Sequence, residues 1–118
     1  TNIQSDKYRM DTLLKNVIGN AVKYRNPDVQ EHRVKVSISS KNNQHVIRVS
    51  DNGTGISDKS MPKIFDMFYR GSSSVSGTGL GLYICREIVV RLQGTVEVES
   101  ALGKGSTFTL TVPSAYLE

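Results

Sequence analysis

The sequence predicts an α+β domain: a two-layer α/β sandwich, with three main helices on one face of a mixed, mostly antiparallel sheet of four to five strands. Three observations predict it. Apolar residues switch between helical spacing and strict alternation in the order helix, two strands, short helix, loop, helix, two strands. Both strand pairs are joined by short polar or Gly-containing segments, which read as antiparallel hairpins. The chain has 118 residues, 37% hydrophobic and 22% charged, which suits one core and one domain spanning residues 1–118. Helices in such a chain segregate to one side of the sheet.

Each element has its own warrant. From residue 6 to about 25, Leu13, Leu14, Val17, Ile18, Ala21 and Val22 recur at helical spacing, and Ser5 or Asp6 is placed to cap the start. Asn26-Pro27-Asp28 ends this helix, because proline disfavours helical backbone in the residue before it. Val34, Val36 and Ile38 alternate with Lys35 and Ser37, giving a strand over 33–39. The polar turn Lys41-Asn42-Asn43-Gln44 leads into a second strand over 45–50. Met61, Ile64, Phe65 and Phe68 predict a short helix over 60–69, and residues 71–78 a loop. A last helix is expected from Leu80 to Leu92, with Gly94 as its stop. Strands over 95–100 and 106–112 then flank Ala101-Leu102-Gly103-Lys104-Gly105.

Composition excludes several classes. No apolar run approaches the ~20 residues of a membrane span, and no signal peptide is visible. Cys85 is the single cysteine and lies in an apolar helix, so there is no disulfide framework and a reduced, cytoplasmic setting is expected. The net charge is +4, but no two Lys or Arg residues are adjacent. Scattered charge of this kind reads as a solvated surface, and no nucleic-acid partner is expected.

Three constellations carry chemistry. Asn16, Asn20, Lys23 and Tyr24 project from one side of the first helix. Carboxamide oxygens suit Mg²⁺ and a lysine suits phosphate, although the same residues also make an ordinary polar helix face. Asp51-Asn52-Gly53-Thr54-Gly55-Ile56 follows a strand directly. A carboxylate there can accept from an exocyclic amine while the glycines let a flat base approach; an Asx or Asn-Gly turn is the competing reading. Gly77-Thr78-Gly79-Leu80-Gly81-Leu82 opens a helix, where unpaired amides and the helix dipole favour phosphate. The Rossmann, Walker A and protein-kinase patterns are absent from the sequence.

In order along the chain, Asn16 to Tyr24 resembles an N box and Asp51 to Gly55 a G1 box. Ile64 to Arg70 resembles an F box, Gly77 to Leu82 a G2 box, and Gly103 to Phe108 a final Gly box. Together, over about residues 6–113, they resemble the ATP-binding catalytic domain of sensor histidine kinases. This is the GHKL or HATPase superfamily of the Bergerat fold, shared with gyrase B subunits, heat-shock chaperones and mismatch-repair ATPases. The resemblance implies roles. Asn20, with Asn16, would hold Mg²⁺, and Lys23 would contact phosphate. Tyr24 would lie near the adenine, whose amino group Asp51 would accept, partly through water shared with Ser106. Gly53 and Gly55 would leave room for the base and Ile56 would pack on it. Gly77, Thr78, Gly79, Leu80, Gly81 and Leu82 would form the phosphate-binding helix start. Residues 71–78 would be the ATP lid, anchored by Phe65 and Phe68, and Arg70 would reach the nucleotide or acceptor.

Relatives that hydrolyse ATP directly carry a Glu general base where this chain has Asn16, which favours transfer to a protein acceptor. Neither His32 nor His45 lies in a phosphoacceptor context. The resemblance therefore implies a protein-histidine kinase domain that binds ATP-Mg²⁺, releases ADP and does not autophosphorylate alone. Its acceptor histidine would lie on dimerisation helices upstream, in the same or the partner subunit of a homodimer, and would pass phosphate to a response regulator in a two-component system. The isolated domain would be a monomer, cytoplasmic either freely or as part of a membrane-anchored bacterial sensor. Two alternatives stay open: an anti-sigma-type serine kinase, and a non-catalytic nucleotide-binding regulatory module.

Overall fold

The structure, a computed structural model, describes residues 3–66 and 81–113. Helix α1 (Ile3–Lys23) presents Met10, Leu13, Val17 and Ala21 as one buried stripe at three- and four-residue spacing. Val22, expected on that face, is 51% exposed because it lies about 100° further round the helix. The helix also starts earlier than expected, so Ser5 and Asp6 fall inside it instead of capping it. Past its end, the Asp28 amide donates to Asn26 Oδ1 at 2.9 Å, an Asx turn that carries the chain away from the helix axis.

Strands β1 (Val34–Lys41) and β2 (Gln44–Asp51) form a hairpin closed by Asn42 and Asn43. Both asparagines are left-handed, with φ of 53° and 62°, the conformation a two-residue hairpin turn requires. Strands β3 (Thr95–Ala101) and β4 (Gly105–Pro113) form the second hairpin. The sheet order is β1-β2-β4-β3, and every described pairing is antiparallel. The described sheet thus has four strands and no parallel pair, where a mixed sheet was expected.

In the described part of the middle helix expected over 60–69, the chain makes a single 3₁₀ turn, Met61–Lys63, followed by turns through Asp66, and residues 67–69 lie outside the described residues. Pro62 removes a backbone donor at its start, and the bonds Ser60 N to Ser57 O and Lys63 N to Ser60 O have three-residue spacing. The described helix layer therefore holds two α-helices instead of three. The second, α2 (Gly81–Arg91), ends differently from expectation. Gln93, not Gly94, takes the left-handed position, with φ of 59°. The Gly94 amide reaches back to Val89 O at 2.9 Å and the Gln93 amide to Val90 O at 3.0 Å, a Schellman ending. Gly94 is needed for space: a Cβ there would collide with the Thr111 carbonyl of β4.

The core lies between sheet and helices. Ile47 faces Leu110 and Val49 faces Phe108 across the β2–β4 pair, and all four are buried. Against them pack the α1 stripe and Cys85, Ile88 and Val89 of α2. Phe65 meets Phe108 edge-on, with centroids 6.5 Å apart and an interplanar angle of 86°. Cys85 is buried beside the Leu13 carbonyl, and burial pushes its thiol up to about 12, so it is an inert core residue at neutral pH. Val36 and Ile38 of β1 lie opposite Val49 and Ile47 yet are 43% and 61% exposed, because the described helices do not extend over this edge strand. Phe108 touches both the sheet and the Phe65 segment. Phe108→Ala should cost about 3–5 kcal/mol, read as a lower urea midpoint with unchanged cooperativity.

Candidate functional site

The β2–β4 register places Asp51, the last residue of β2, directly opposite Ser106. Ser106 in turn lies opposite Ser100 of β3. Three strand ends thus meet at one level. The Gly53 amide donates to Asp51 Oδ1 at 2.8 Å, and the Ser106 backbone also acts on this carboxylate. Burial pushes the Asp51 carboxyl above the usual carboxylate range, outweighing the two amides and the nearby His32, which pull it down. Because its folded value lies above its unfolded value, stability falls as pH rises through that interval. At neutral pH the ionised Asp51 is therefore a cost to the fold, which is a common signature of a functional group.

Two glycines let the backbone close around this carboxylate. A Cβ on Gly53 would collide with the Tyr24 carbonyl, which accepts from the Thr54 amide at 2.9 Å. Gly105 has φ of 111°, and a Cβ there would collide with the Asp51 carbonyl. Gly55 abuts the Ala101 carbonyl, and the Gly103 amide donates to Thr54 O at 2.7 Å. The end of α1, the loop after β2 and the β3–β4 turn are thereby tied together. A depression of about 350 Å³ opens at this end of the sheet, bordered by Asp51, Ser100, Lys104 and Ser106.

Two residues of this frame escaped the sequence reading. Ser100 donates its one hydroxyl proton to Gly105 O at 2.8 Å. Its oxygen accepts from the Ile56 amide at 2.7 Å and, with that proton engaged, from the Ser106 hydroxyl at 2.8 Å. The only signal in the sequence is a serine at the inward position of a strand whose other inward residues are Val96 and Val98. Asn52 binds the segment before β1: its Oδ1 accepts from Arg33 N at 2.7 Å and its Nδ2 donates to Glu31 O at 2.8 Å. Its place beside Gly53 made it read as a turn residue.

On α1, Asn16 Nδ2 donates to Thr12 O at 2.9 Å, which fixes the carboxamide and leaves Oδ1 outward. That oxygen would lie 3.4 Å from a Cβ on Gly81, the first residue of α2. The N-box helix and the end of the G2 box are therefore side by side. Asn20 is half-buried one turn on, and its carboxamide makes no hydrogen bond among the described residues. Lys23 is exposed, while Tyr24 is half-buried at the helix end. Two neutral, hard oxygens of this kind fit Mg²⁺, which takes few protein oxygens and shares its shell with water and phosphate. Ile56 and Leu82 are part-buried against the core. Phe68, Arg70, Gly77, Thr78, Gly79 and Leu80, with the expected lid at 71–78, lie outside the described residues.

Comparison with known proteins accords with this arrangement. Residues 5–116 match the family described as "Histidine kinase-, DNA gyrase B-, and HSP90-like ATPase". The chain is 35% identical over 112 residues to the sensor protein SrrB of Staphylococcus aureus, a match covering 92% of this chain and 19% of that protein. The chain thus spans about a fifth of the length of the curated relatives it matches. Among solved structures it is similar to the mycobacterial sensor histidine kinase MprB, with 26% identity, a TM-score of 0.77, and 90% of this chain and 72% of that chain covered. It is also similar to full-length ShkA in complex with AMPPNP, with 29% identity, a TM-score of 0.75, and 89% of this chain and 21% of that chain covered.

The buried carboxylate gives opposite expectations for stability and binding. Asp51→Asn keeps the acceptor for Gly53 and removes the buried charge, so its urea midpoint at pH 7 should equal or exceed the parent's. If Asp51 is the adenine acceptor that the resemblance implies, its affinity for an adenine nucleotide should fall by about 1.5–3 kcal/mol through loss of a charge-assisted bond, measured by calorimetric titration.

Proposed function

The chain belongs to the histidine kinase-, DNA gyrase B- and HSP90-like ATPase family, and from that premise we propose that it is the ATP-binding catalytic domain of a sensor histidine kinase. In this reading it donates the ATP γ-phosphoryl group to a histidine on a separate dimerisation domain. The observation that carries the choice of transfer over hydrolysis is Asn16, whose carboxamide oxygen sits against the first residue of α2. A carboxamide is too weakly basic to take a proton from water, so no nucleophilic water is generated beside the phosphates. The attacking group must then come from outside, and an imidazole nitrogen is nucleophilic without a base of this kind.

Asp51 accepts from the adenine amino group, and Gly53 and Gly55 leave the base room beside the Asp51–Ile56 loop, with Ile56 and Tyr24 flanking it. Asn20 and Asn16 hold the metal ion when it is bound, which neutralises the phosphate oxygens. Lys23, exposed at the last turn of α1, supplies mobile positive charge to the phosphates. The amides of residues 77–82, at the start of α2, bind the phosphate chain. Residues 71–78 act as the lid, anchored by Phe65 and Phe68, and Arg70 reaches the nucleotide or the acceptor. The bond between the γ-phosphorus and the bridging oxygen breaks, a phosphorus–nitrogen bond to the acceptor imidazole forms, and ADP leaves. Catalysis is then positioning and charge neutralisation.

The acceptor imidazole belongs to the same or a partner subunit of a homodimeric protein, which passes the phosphoryl group to a response regulator. No described helix is long and apolar enough to cross a membrane. We place the domain in the cytoplasm, free or as the inner part of a membrane-anchored sensor.

Titration with a non-hydrolysable ATP analogue should show Mg²⁺-dependent binding, and Asn20→Ala should lose that dependence, about tenfold or more in affinity (~1.4 kcal/mol). Equal affinity with and without Mg²⁺ in the parent would sink the metal assignment. Labelled ATP should leave His32 and His45 unmodified in this chain alone, yet label a dimerisation domain supplied with it.

A further inference from the structure

Ser106 is the one buried polar residue among the described residues, 8% exposed, and a neighbour decides what its hydroxyl does. Ser100, opposite it on β3, carries one proton and two acceptor sites. The Gly105 carbonyl can only accept, so the Ser100 proton goes there, at 2.8 Å. The Ile56 amide can only donate, so it fills one Ser100 acceptor site, at 2.7 Å. The site left over meets Ser106 Oγ at 2.8 Å, and Ser106 must donate across that bond. Two backbone groups from different segments, the loop after Gly55 and the start of β4, thus fix its direction. Ser106 has no second proton, so toward everything else its oxygen only accepts. Asp51 lies opposite Ser106 on β2, and directly opposed residues share one face, with Cβ atoms about 5 Å apart. Both border the depression at this end of the sheet.

We propose that Ser100 is a positioning residue for base selection: by taking the Ser106 proton it makes Ser106 a pure acceptor beside the Asp51 carboxylate, so this end of the sheet accepts a purine amine and rejects a purine carbonyl. A serine hydroxyl left to itself would rotate to suit its partner. It would give its proton to the nearby carboxylate, occupying a lone pair the base needs, or to a carbonyl oxygen on the wrong base. With that proton engaged, a 6-oxo purine finds acceptors opposite its own acceptor. A site built to bond a substrate N–H discriminates strongly against an analogue that lacks it, because the buried polar groups are left unpaired. Ser100 does this without touching the nucleotide, through the direction of one hydrogen bond.

The inference rests on reading Asp51 as the adenine-amine acceptor, and the test separates the two. Calorimetric titration measures the affinities for ADP and for inosine diphosphate, which carries a carbonyl oxygen in place of the 6-amino group, both with Mg²⁺. The proteins are the parent, Ser100→Ala, Ser106→Ala and the double variant. Ser100→Ala frees the Ser106 proton to meet the carbonyl, so the preference for ADP over inosine diphosphate should fall about tenfold. Loosening of the Ile56 loop alone would weaken both nucleotides in the same proportion. Ser106→Ala removes an acceptor, so it should weaken ADP and leave inosine diphosphate as tight as in the parent or tighter. The double variant should show the same preference as Ser106→Ala, because Ser100 acts only through that hydroxyl. An unchanged preference in Ser100→Ala would overturn the proposal and leave Ser100 a structural residue. Ser106→Ala reports even if Ser100→Ala fails to fold: equal weakening of both nucleotides would show that Ser106 donates to the base, which also overturns it. Asp51→Asn that binds ADP as the parent does would instead overturn the adenine reading beneath it.

Discussion

Strand β2 pairs with β4 from Gln44↔Pro113 to Asp51↔Ser106, and this one register sets both the core and the site. Along most of its length it brings Ile47 and Val49 beside Leu110 and Phe108, which supply the apolar floor for both helices. At its far end the same alternation delivers Asp51 and Ser106 to the helix-facing side. Side-chain direction has period two, so a slip of one residue would turn the floor outward and carry Asp51 away with it. Core packing and carboxylate placement are thus enforced together.

The polar end of the sheet is held by Ser100, whose hydroxyl uses its full hydrogen-bonding capacity, and by Asn52, which engages both ends of its carboxamide. Ser100 takes part in three bonds, joining the loop after Gly55 to the start of β4. Asn52 joins that loop to the segment before β1. These bonds fix the backbone so that the half-buried Asp51 carboxylate has a defined position. A partly buried acid costs stability when ionised, and a fold retains one where the charge has chemical use.

The helix layer contributes in a different way. Helix α1 packs its apolar stripe on the sheet and keeps Asn16 against the start of α2, with Asn20 one turn on. The self-bond from Asn16 Nδ2 to Thr12 O fixes which atom of the carboxamide faces outward. Substituting a carboxamide for a carboxylate at this place removes basicity while keeping a hard oxygen.

Much of this was legible in the residues themselves. Periodicity located both hairpins and both long helices, because alternation and 3.6-residue spacing are local properties of a chain that must bury one face. The five boxes carried the family. Local signals failed where the outcome depended on neighbours distant in sequence. The segment at 60–66 had helical spacing, but its described part makes only one 3₁₀ turn and further turns. Gly94 read as the left-handed stop, yet contact with β4 reserved it for space and passed that conformation to Gln93. Ser100 and Asn52 are ordinary polar residues in the sequence. Only the pairing of strands and the hydrogen bonds at the sheet end decided that they surround Asp51, because hydrogen-bond satisfaction and burial depend on three-dimensional neighbours rather than on spacing along the chain.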